Sequence, residues 1–366
     1  MTATVRMLAG FLLAAAASAA SAATAQEQPP APEQGKTAVA LVYSKAYQIN
    51  LGGLERMHPF DIHKYSKIAQ QLVKDGLATE SDFLVPKELT REEILTVQSA
   101  RFLDSLKDSA TVAQYLEAPI AKRLPAVVID RGMLRPFRYA SGGTVAAARA
   151  ALKHGVAINL GGGYHHAKPD RGEGFCIYAD MPIAIRILQR ERLIRRALVV
   201  DLDVHQGNGT IVCCHGDESV FTFSMHEAGI YPIPKEKGDR DIELAAGTGD
   251  EAYLRTLRDA LPEVIRQSRP DIVLLQAGCD PLAGDPLANL AMTKEGIVAR
   301  DALVIDACVA RKIPVVMLLG GGYSREAWEV QHASIRRTLE KYAVVRRQEQ
   351  PATKPGLKKF LGKKQK

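Results

Sequence analysis

Short apolar runs alternate with longer helical patterns along most of this chain, and this alternation restricts the possible folds more than any other feature. Each run is rich in aliphatic or aromatic residues and ends near a glycine or a polar residue, which is typical of strands buried on both faces. We predict strands at residues 39–43, 127–129, 157–160, 197–200, 220–223, 272–276 and 315–319. The fold class is therefore α/β in three layers: a single, mostly parallel β-sheet with helices on both faces.

The first 25 residues, 1–25, have the pattern of a secretory signal peptide. Arg6 precedes an apolar, alanine-rich run, and Ala23-Thr-Ala25 resembles a cleavage site. The run is too short and too rich in alanine for a transmembrane span. A linker rich in Pro, Gln and Glu follows at residues 26–37. We therefore expect no transmembrane segment and an exported mature protein, periplasmic or secreted, that starts near Gln26.

Residues 38–345 form one predicted catalytic domain without an internal repeat, and the basic residues are concentrated after it. Residues 346–366 contain eight Lys or Arg and one Glu, which account for the whole formal net charge of +7. A basic tail with Pro and Gly is typical of a flexible, solubilising terminus. The alternative is a weak anchor for acidic polymers or anionic surfaces, and we expect no specific nucleic-acid partner.

The five cysteines do not have the pattern of a disulfide framework. Their number is odd, Cys213 and Cys214 are adjacent, and all five lie in or beside apolar segments. Although an exported protein can form disulfides, we expect these cysteines to be buried free thiols.

Polar, glycine-rich loops follow four of the predicted strands. In chain order they contain His165-His166, Asp201-Leu-Asp-Val-His205, Asp280 with Asp285, and Tyr323. Taken alone, each loop has a simpler explanation, such as surface histidines, a solvated turn or a packing tyrosine. Their common position after strands favours a shared site, because parallel strands end at the same edge of a sheet.

The residue types in these loops indicate metal chemistry. Alternate residues of an extended segment point the same way, so Asp203 and His205 share a face. We assign Asp203, His205 and Asp285 as three metal ligands, which leaves an open position for water. A metal ion there lowers the pKa of water and polarises an acyl oxygen, a histidine moves the proton, and Tyr323 donates to the oxyanion. The pattern therefore predicts a metal hydrolase.

These residues, together with several longer motifs, resemble the histone deacetylase family and its arginase-like fold, with most similarity to the class IV branch. The motifs are Tyr43-Ser44, Gly53-Leu-Glu55, His58-Pro-Phe60, Leu134-Arg-Pro136, Asp170-Arg-Gly172, Gly174-Phe-Cys176 and His205-Gln-Gly-Asn-Gly209. The resemblance extends from about Val39 to the last helix. It implies that Asp203, His205 and Asp285 hold Zn²⁺, for which Fe²⁺ can substitute.

The resemblance also implies a role for each catalytic side chain. His166 is the general base and then the acid for the leaving amine. His165 acts mainly through its charge, with Asp201 as its partner. Tyr323 polarises the scissile carbonyl. Asn208 faces His166 where many members of the family have aspartate, and because an amide stabilises an imidazolium less well than a carboxylate, His166 should be a weaker base.

Two further sites follow from the same resemblance. Gly174, Phe175 and Tyr231 line an acyl-lysine channel, in which the Gly174 carbonyl accepts the substrate amide. Asp201 and Ser224 lie around a structural monovalent cation, K⁺.

The leading hypothesis is zinc-dependent hydrolysis of an N⁶-acyl-lysine, in a peptide or protein, to a free amine and a carboxylate. Acetylated polyamines, other small acylamides and long-chain fatty-acyl-lysine are alternative substrates that the resemblance allows. A ureohydrolase with two manganese ions shares the fold but requires a second ligand set. A binding module that retains acyl-lysine without turnover is the alternative outside enzymes.

Overall fold

The computed structural model describes residues 38–57 and 60–344. The predicted signal peptide, the linker and the basic tail lie outside the described residues. Eight strands form one sheet in the order β2-β1-β3-β8-β7-β4-β5-β6. They are β1 Ala38–Val42, β2 Phe83–Leu84, β3 Gly155–Asn159, β4 Ala197–Asp201, β5 Val220–Glu227, β6 Arg240–Leu244, β7 Ile272–Gln276 and β8 Val315–Leu318. Every neighbouring pair is parallel, so the α/β class is confirmed and the sheet is wholly, rather than mostly, parallel.

Helices cover both faces of this sheet. They are α1 Lys64–Lys74, α2 Arg91–Ile94, α3 Ala100–Ser105, α4 Ser109–Tyr115, α5 Ala126–Ile129, α6 Arg135–His154, α7 Asp180–Arg190, α8 Asn208–Cys214, α9 Asp250–Ser268, α10 Lys294–Ala310 and α11 Ala327–Lys341. Short 3₁₀ segments and a π-helical turn at Asp130–Leu134 connect some of them. None of these helices is both long and apolar enough to cross a membrane.

The alternation of side chains along the strands divides the core into two layers. Leu198 and Val200 of β4 pack into one cluster with residues of α1, α9, α10 and α11. Ala197 and Val199 of the same strand pack into the other cluster, with residues of α2 to α8. Both layers are apolar because a parallel sheet between helices has no face open to water.

The sequence analysis missed the two edge strands of the sheet, β2 and β6. It also predicted a strand where the structure has a helix. β2 has only two residues, and β6 contains Arg240 and other polar residues because it is an edge strand. Residues 127–129 belong to α5, although their β-branched side chains favour a strand. Val127 and Val128 are exposed, so they lack the burial that a central strand would give them.

The register of the central strands brings four loops to one edge. Asp201 at the end of β4 lies opposite Gln276 of β7 and Ser224 of β5. Asn159 of β3 lies opposite Leu318 of β8. The loops after β3, β4, β7 and β8 therefore leave the sheet side by side. All five cysteines are free thiols, as predicted; four of them are buried, whereas Cys213 is half-buried.

Candidate active site

Asp203, His205 and Asp280 converge beyond the carboxyl ends of β4 and β7. The three side chains are buried, and one potential ligand atom from each lies within 4.8 Å of the others. Nδ1 of His205 is 3.2 Å from Oδ1 of Asp203 and 3.3 Å from Oδ2 of Asp280. The ligand atoms therefore surround a common point.

The charge of this cluster fits a divalent metal ion. Burial and the neighbouring carboxylate of Asp203 raise the pKa of Asp280 to about 7. Burial alone would lower the pKa of His205, but Asp203 and Asp280 outweigh it and raise the pKa to about 10. The raised pKa values mean that the three groups retain a proton, because the two carboxylates need a balancing positive charge. A bound metal cation would supply that charge. Two carboxylates and an imidazole suit Zn²⁺ or Fe²⁺ and leave a position for water.

Asp285, the third ligand in the sequence analysis, is not one of these three residues. Its Oδ2 accepts hydrogen bonds from the backbone N–H groups of Tyr323 and Ser324, at 2.7 and 3.1 Å, and its Oδ1 accepts one from Leu287 at 3.0 Å. Asp280 is four residues beyond the end of β7, whereas Asp285 is nine residues beyond it. Asp280 is therefore a further candidate ligand that completes the cluster, and Asp285 holds the loop that carries Tyr323. The assignment of Asp285 as a metal ligand stays a prediction.

His165 lies against the cluster and is held by Asp201, as the sequence predicts. Its Nδ1 is 2.8 Å from Oδ2 of Asp201, and its Nε2 is 3.7 Å from Oδ1 of Asp203. Burial alone would lower the pKa of His165, but the two carboxylates raise it to about 9. His165 can therefore carry a positive charge beside the cluster.

His166 is adjacent and has the opposite character. Its ring centroid is 4.0 Å from that of His165, and its Nδ1 is 2.7 Å from Oδ1 of Asn208. Burial, followed by the neighbouring imidazoles of His165 and His205, lowers the pKa of His166 well below its ordinary value. A neutral imidazole beside the cluster can accept a proton, as a general base must.

Tyr323 follows β8 and faces the same region. Its ring centroid is 6.3 Å from that of His205 and 5.9 Å from that of Phe175. Burial, followed by the charges of Asp280 and Asp203, raises the pKa of Tyr323 well above its ordinary value. The phenol therefore keeps its proton and can donate a hydrogen bond to a developing oxyanion.

Comparison with known proteins identifies the family of this chain. A family model described as the histone deacetylase domain matches residues 58–339, more than half of the chain. The chain belongs to the histone deacetylase family. Histone deacetylase 2 of Arabidopsis thaliana is 38% identical over 300 residues, which are 81% of this chain and 78% of that relative. The acetoin utilization protein AcuC of Bacillus subtilis is 30% identical over 309 residues, 79% of this chain and 78% of that one.

A solved structure supports the fold of this family member. The HDA15 HD domain aligns with a TM-score of 0.66 at 20% sequence identity, covering 83% of this chain and 92% of that domain. The deacetylase-like α/β fold is thereby confirmed, and membership in the family indicates a deacetylase hydrolase. The placement in the class IV branch stays a prediction.

The predicted channel residues of this deacetylase family member gather at the entrance to the site. The Tyr231 ring lies 5.0 Å from that of His166, and 38% of Tyr231 is exposed. A side chain at Gly174 would collide with the His166 ring, because its Cβ would lie 2.6 Å from Cδ2. Gly174 and Phe175 both have positive φ, at 51° and 64°. The backbone at Gly174 therefore lies close to the His166 ring, and the acyl-lysine channel stays a prediction.

A cavity of about 480 Å³ adjoins this entrance. Its wall includes His165, His166 and Tyr323, and it continues along largely apolar side chains. Those side chains are Leu51, Leu54, Ile62, Leu116, Ile120, Met133 and Phe137. A volume of this size lies within the usual range for pockets that hold small organic ligands, roughly 300–1,000 Å³.

Ser224, the other residue predicted around a monovalent cation, lies in register with Asp201 on the neighbouring strand. Its Oγ is 2.8 Å from Nδ1 of His226. The K⁺ site stays a prediction.

The sequence analysis missed three buried or half-buried residues that hold the site together. Gln276 donates from Nε2 to the Gly163 carbonyl at 2.9 Å, and Lys64 donates from Nζ to the Gly320 carbonyl at 2.9 Å. Glu173 accepts a hydrogen bond from Nδ2 of Asn208 at 2.8 Å. Gln276 could have been found, because it ends a predicted strand. The other two contacts join distant segments and have no local pattern.

Proposed function

We propose that this chain is a zinc-dependent deacylase that hydrolyses N⁶-acyl-lysine, or a related acylamide, to a free amine and a carboxylate. The observation that carries the proposal is the buried cluster of Asp203, His205 and Asp280, with His166 and Tyr323 beside it. Since His166 is neutral and the Tyr323 phenol is protonated, the cluster lies next to both a base and a hydrogen-bond donor.

Asp203, His205 and Asp280 would hold the metal ion, which when bound supplies a Lewis acid for the acyl oxygen and a lowered pKa for water. His166 takes a proton from the attacking water as the new C–O bond forms. It then returns this proton to the amine nitrogen as the C–N bond breaks. One residue can perform both steps because its imidazole starts neutral and ends neutral.

His165 and Tyr323 stabilise the negative charge that develops on the acyl oxygen, and neither of them carries the reacting proton. The hydrogen bond of His165 to Asp201 holds its ring in place, and the raised pKa of His165 favours a positive charge close to the developing oxyanion. The Tyr323 hydroxyl donates a hydrogen bond to the same oxygen. Donors of this type contribute about 10²- to 10³-fold to turnover.

The cavity favours a long acyl chain as a second candidate for the substrate. It shares His165 and His166 with the site, and much of its wall consists of aliphatic and aromatic side chains. Each buried methylene contributes about 0.8 kcal/mol to binding. A fatty-acyl group can therefore gain binding energy there that an acetyl group cannot.

The alternatives differ in what they require of the site. A ureohydrolase with two manganese ions requires a second ligand set, and the described part of the chain contains one group of three clustered His, Asp or Glu ligands. An acyl-lysine binder without turnover requires no base, whereas the lowered pKa of His166 and its ring, 6.0 Å from that of His205, support an enzyme with a base. Acetylpolyamine deacetylation uses the same chemistry on a different amine.

A substrate panel with metal analysis tests the proposal. Acetyl-lysine and myristoyl-lysine peptides and an acetylated polyamine are incubated with the full chain, with and without a chelator, and the released acid is quantified. We expect hydrolysis that the chelator abolishes and Zn²⁺ restores, with one bound metal ion per chain. Binding of the peptides without release of acid would support the binder, and two bound manganese ions would support the ureohydrolase.

We also propose that residues 1–25 direct export and are removed. The support is the arrangement of Arg6, the alanine-rich run and Ala23-Thr-Ala25. Mass spectrometry of the protein from its host should give a mature chain that starts near Gln26. An intact amino terminus would contradict export by this route.

A further inference from the structure

Glu173 contacts Asn208, the hydrogen-bond partner of the proposed base His166, and three further polar side chains. Its Oε1 accepts hydrogen bonds from Nδ2 of Asn208, at 2.8 Å, and from the Tyr231 hydroxyl, at 2.6 Å. Its Oε2 is 3.0 Å from Nε of Arg171 and 3.4 Å from Nζ of Lys168. The side chain is 22% exposed, so this carboxylate is only partly solvated.

The contacts of Glu173 determine which way the Asn208 amide points. An ionised carboxylate only accepts hydrogen bonds, so the amide nitrogen of Asn208 must face Glu173. The amide oxygen then faces Nδ1 of His166, at 2.7 Å. Because that oxygen also only accepts, the proton of neutral His166 must sit on Nδ1. The lone pair is left on Nε2, which is then the ring nitrogen that can accept a proton.

The Glu173 carboxylate is also ionised at neutral pH. Partial burial opposes ionisation, but the hydrogen bonds from Tyr231 and Asn208, with the charges of Lys168 and Arg171, lower the pKa of Glu173 below its ordinary value. The negative charge of Glu173 therefore lies next to the neutral amide of Asn208, on the side away from His166.

We propose that Glu173 is a positioning residue for the reaction: through Asn208 it fixes the Nδ1–H form of His166 and supplies the negative charge that asparagine lacks. The inference rests on the proposed function, in which His166 accepts a proton from the attacking water. During that step His166 becomes a cation in a buried place. The Asn208 amide dipole, oriented by Glu173, stabilises this cation, although less than a carboxylate in direct contact would.

A double-mutant cycle tests whether Glu173 acts through residue 208. Glu173→Gln keeps the shape of the side chain and removes its charge, and we expect it to lower kcat about 10- to 100-fold. In an Asn208→Asp background the carboxylate touches His166 directly, so the same Glu173→Gln change should cost little or raise kcat. An equal loss in both backgrounds, or no loss in the native background, would overturn the proposal.

Two variants separate this effect from other roles of Glu173. Glu236→Gln is the matched control, since Glu236 also lies near Lys168, at 3.5 Å, whereas the Asn208 amide donates to Glu173. It should leave kcat unchanged. Tyr231→Phe removes the other hydrogen bond to Oε1 of Glu173, and we expect it to raise KM more than it lowers kcat. If Tyr231→Phe reproduced the kcat loss of Glu173→Gln, the entrance rather than the base would be what Glu173 holds.

A measurement of the His166 tautomer does not require catalytic turnover, so it can test this inference independently of the proposed function. ¹⁵N NMR of histidine-labelled protein reports which ring nitrogen of His166 carries the proton. We expect the Nδ1–H form in the native protein and a mixture in Glu173→Gln, with unchanged thermal unfolding. If no acyl-lysine is hydrolysed but this change occurs, the proposed function fails and the positioning stands. If hydrolysis occurs and the tautomer does not respond, the positioning fails alone.

Discussion

The tetrapeptide Gly-Gly-Gly-Tyr occurs twice, as a first loop at residues 161–164 and a second loop at residues 320–323. The two loops follow β3 and β8, which pair in the sheet. In each loop the tyrosine N–H donates to a buried aspartate: Tyr164 to Asp180 at 2.8 Å, and Tyr323 to Asp285 at 2.7 Å. The same four residues, after adjacent strands, are thus anchored in the same way.

The loops nevertheless place their tyrosines differently. Positive φ occurs at the second and third glycines of the first loop, but at the first and third glycines of the second. Tyr164 packs on Phe137, with ring centroids 4.8 Å apart, in the cavity wall. Tyr323 packs beside His205 at the cluster. Glycine permits several conformations, so the surrounding side chains select one in each loop.

The largest expected effect tests whether Asp285 is an anchor, like Asp180, rather than a metal ligand. Asp280→Ala removes one of three clustered donors, so we expect loss of bound metal and turnover near background. Asp285→Ala should retain the metal and lower kcat about 10- to 100-fold by releasing the second loop. Metal content of the purified variants checks this. Loss of metal from Asp285→Ala alone would support Asp285, rather than Asp280, as the third metal ligand.

The next effect concerns the two tyrosines. Tyr323→Phe removes a hydroxyl from the proposed oxyanion site, and we expect kcat to fall about 10²- to 10³-fold. Tyr164→Phe keeps the ring that packs on Phe137, so kcat should stay close to the native value. Steady-state kinetics on an acyl-lysine peptide would show the difference. Similar losses in the two variants would mean that the loops share the catalytic role.

A stability comparison addresses the glycines. A Cβ at Gly163 or Gly320 would lie 2.0 or 2.2 Å from the Gln276 amide, and both residues have positive φ. We expect Gly163→Ala and Gly320→Ala each to lower the free energy of unfolding by roughly 2–4 kcal/mol. Gly216→Ala is the control, since Gly216 has φ of 75° with open space around it. It should cost about 1 kcal/mol in urea unfolding; an equal cost at all three positions would exclude the collision.

The smallest expected effect concerns a carboxylate in surface ion pairs, Asp306, whose pKa shifts in the opposite direction from those of the buried loop anchors Asp180 and Asp285. Burial raises the pKa values of Asp180 and Asp285. Burial also acts on Asp306, but hydrogen bonds from Arg337, Lys341 and Tyr342 outweigh it and lower its pKa. Asp306→Asn should therefore lower stability by about 1 kcal/mol at pH 7.

The pH dependence of this loss has a definite sign. The folded pKa of Asp306 lies below the unfolded value, so its contribution is present above about pH 4 and declines as the pH falls further. Unfolding of native protein and Asp306→Asn at pH 7 and pH 3 measures this. A loss that grew on acidification would contradict the assigned ion pairs.

The sequence predicts those features that depend on local pattern. β4 and β7 are apolar runs because they are buried on both faces, and the alternation along Asp201, Asp203 and His205 places the last two together. The choice between Asp280 and Asp285 depends on how one loop turns after β7, which neighbouring residues do not reveal. The contact of Glu173 with Asn208 joins segments 35 residues apart and exists only in the folded chain.

Gln276 ends β7 and fills the space between the two glycine loops. Its amide lies against Gly163 and Gly320 alike, and it approaches Oδ2 of Asp203 at 3.4 Å. A replacement in either loop therefore alters the room available to the other, so strong epistasis is expected among these positions. Directed evolution towards new acyl groups should vary both loops and Gln276 in one combinatorial library, because single-site screens would discard compensating pairs.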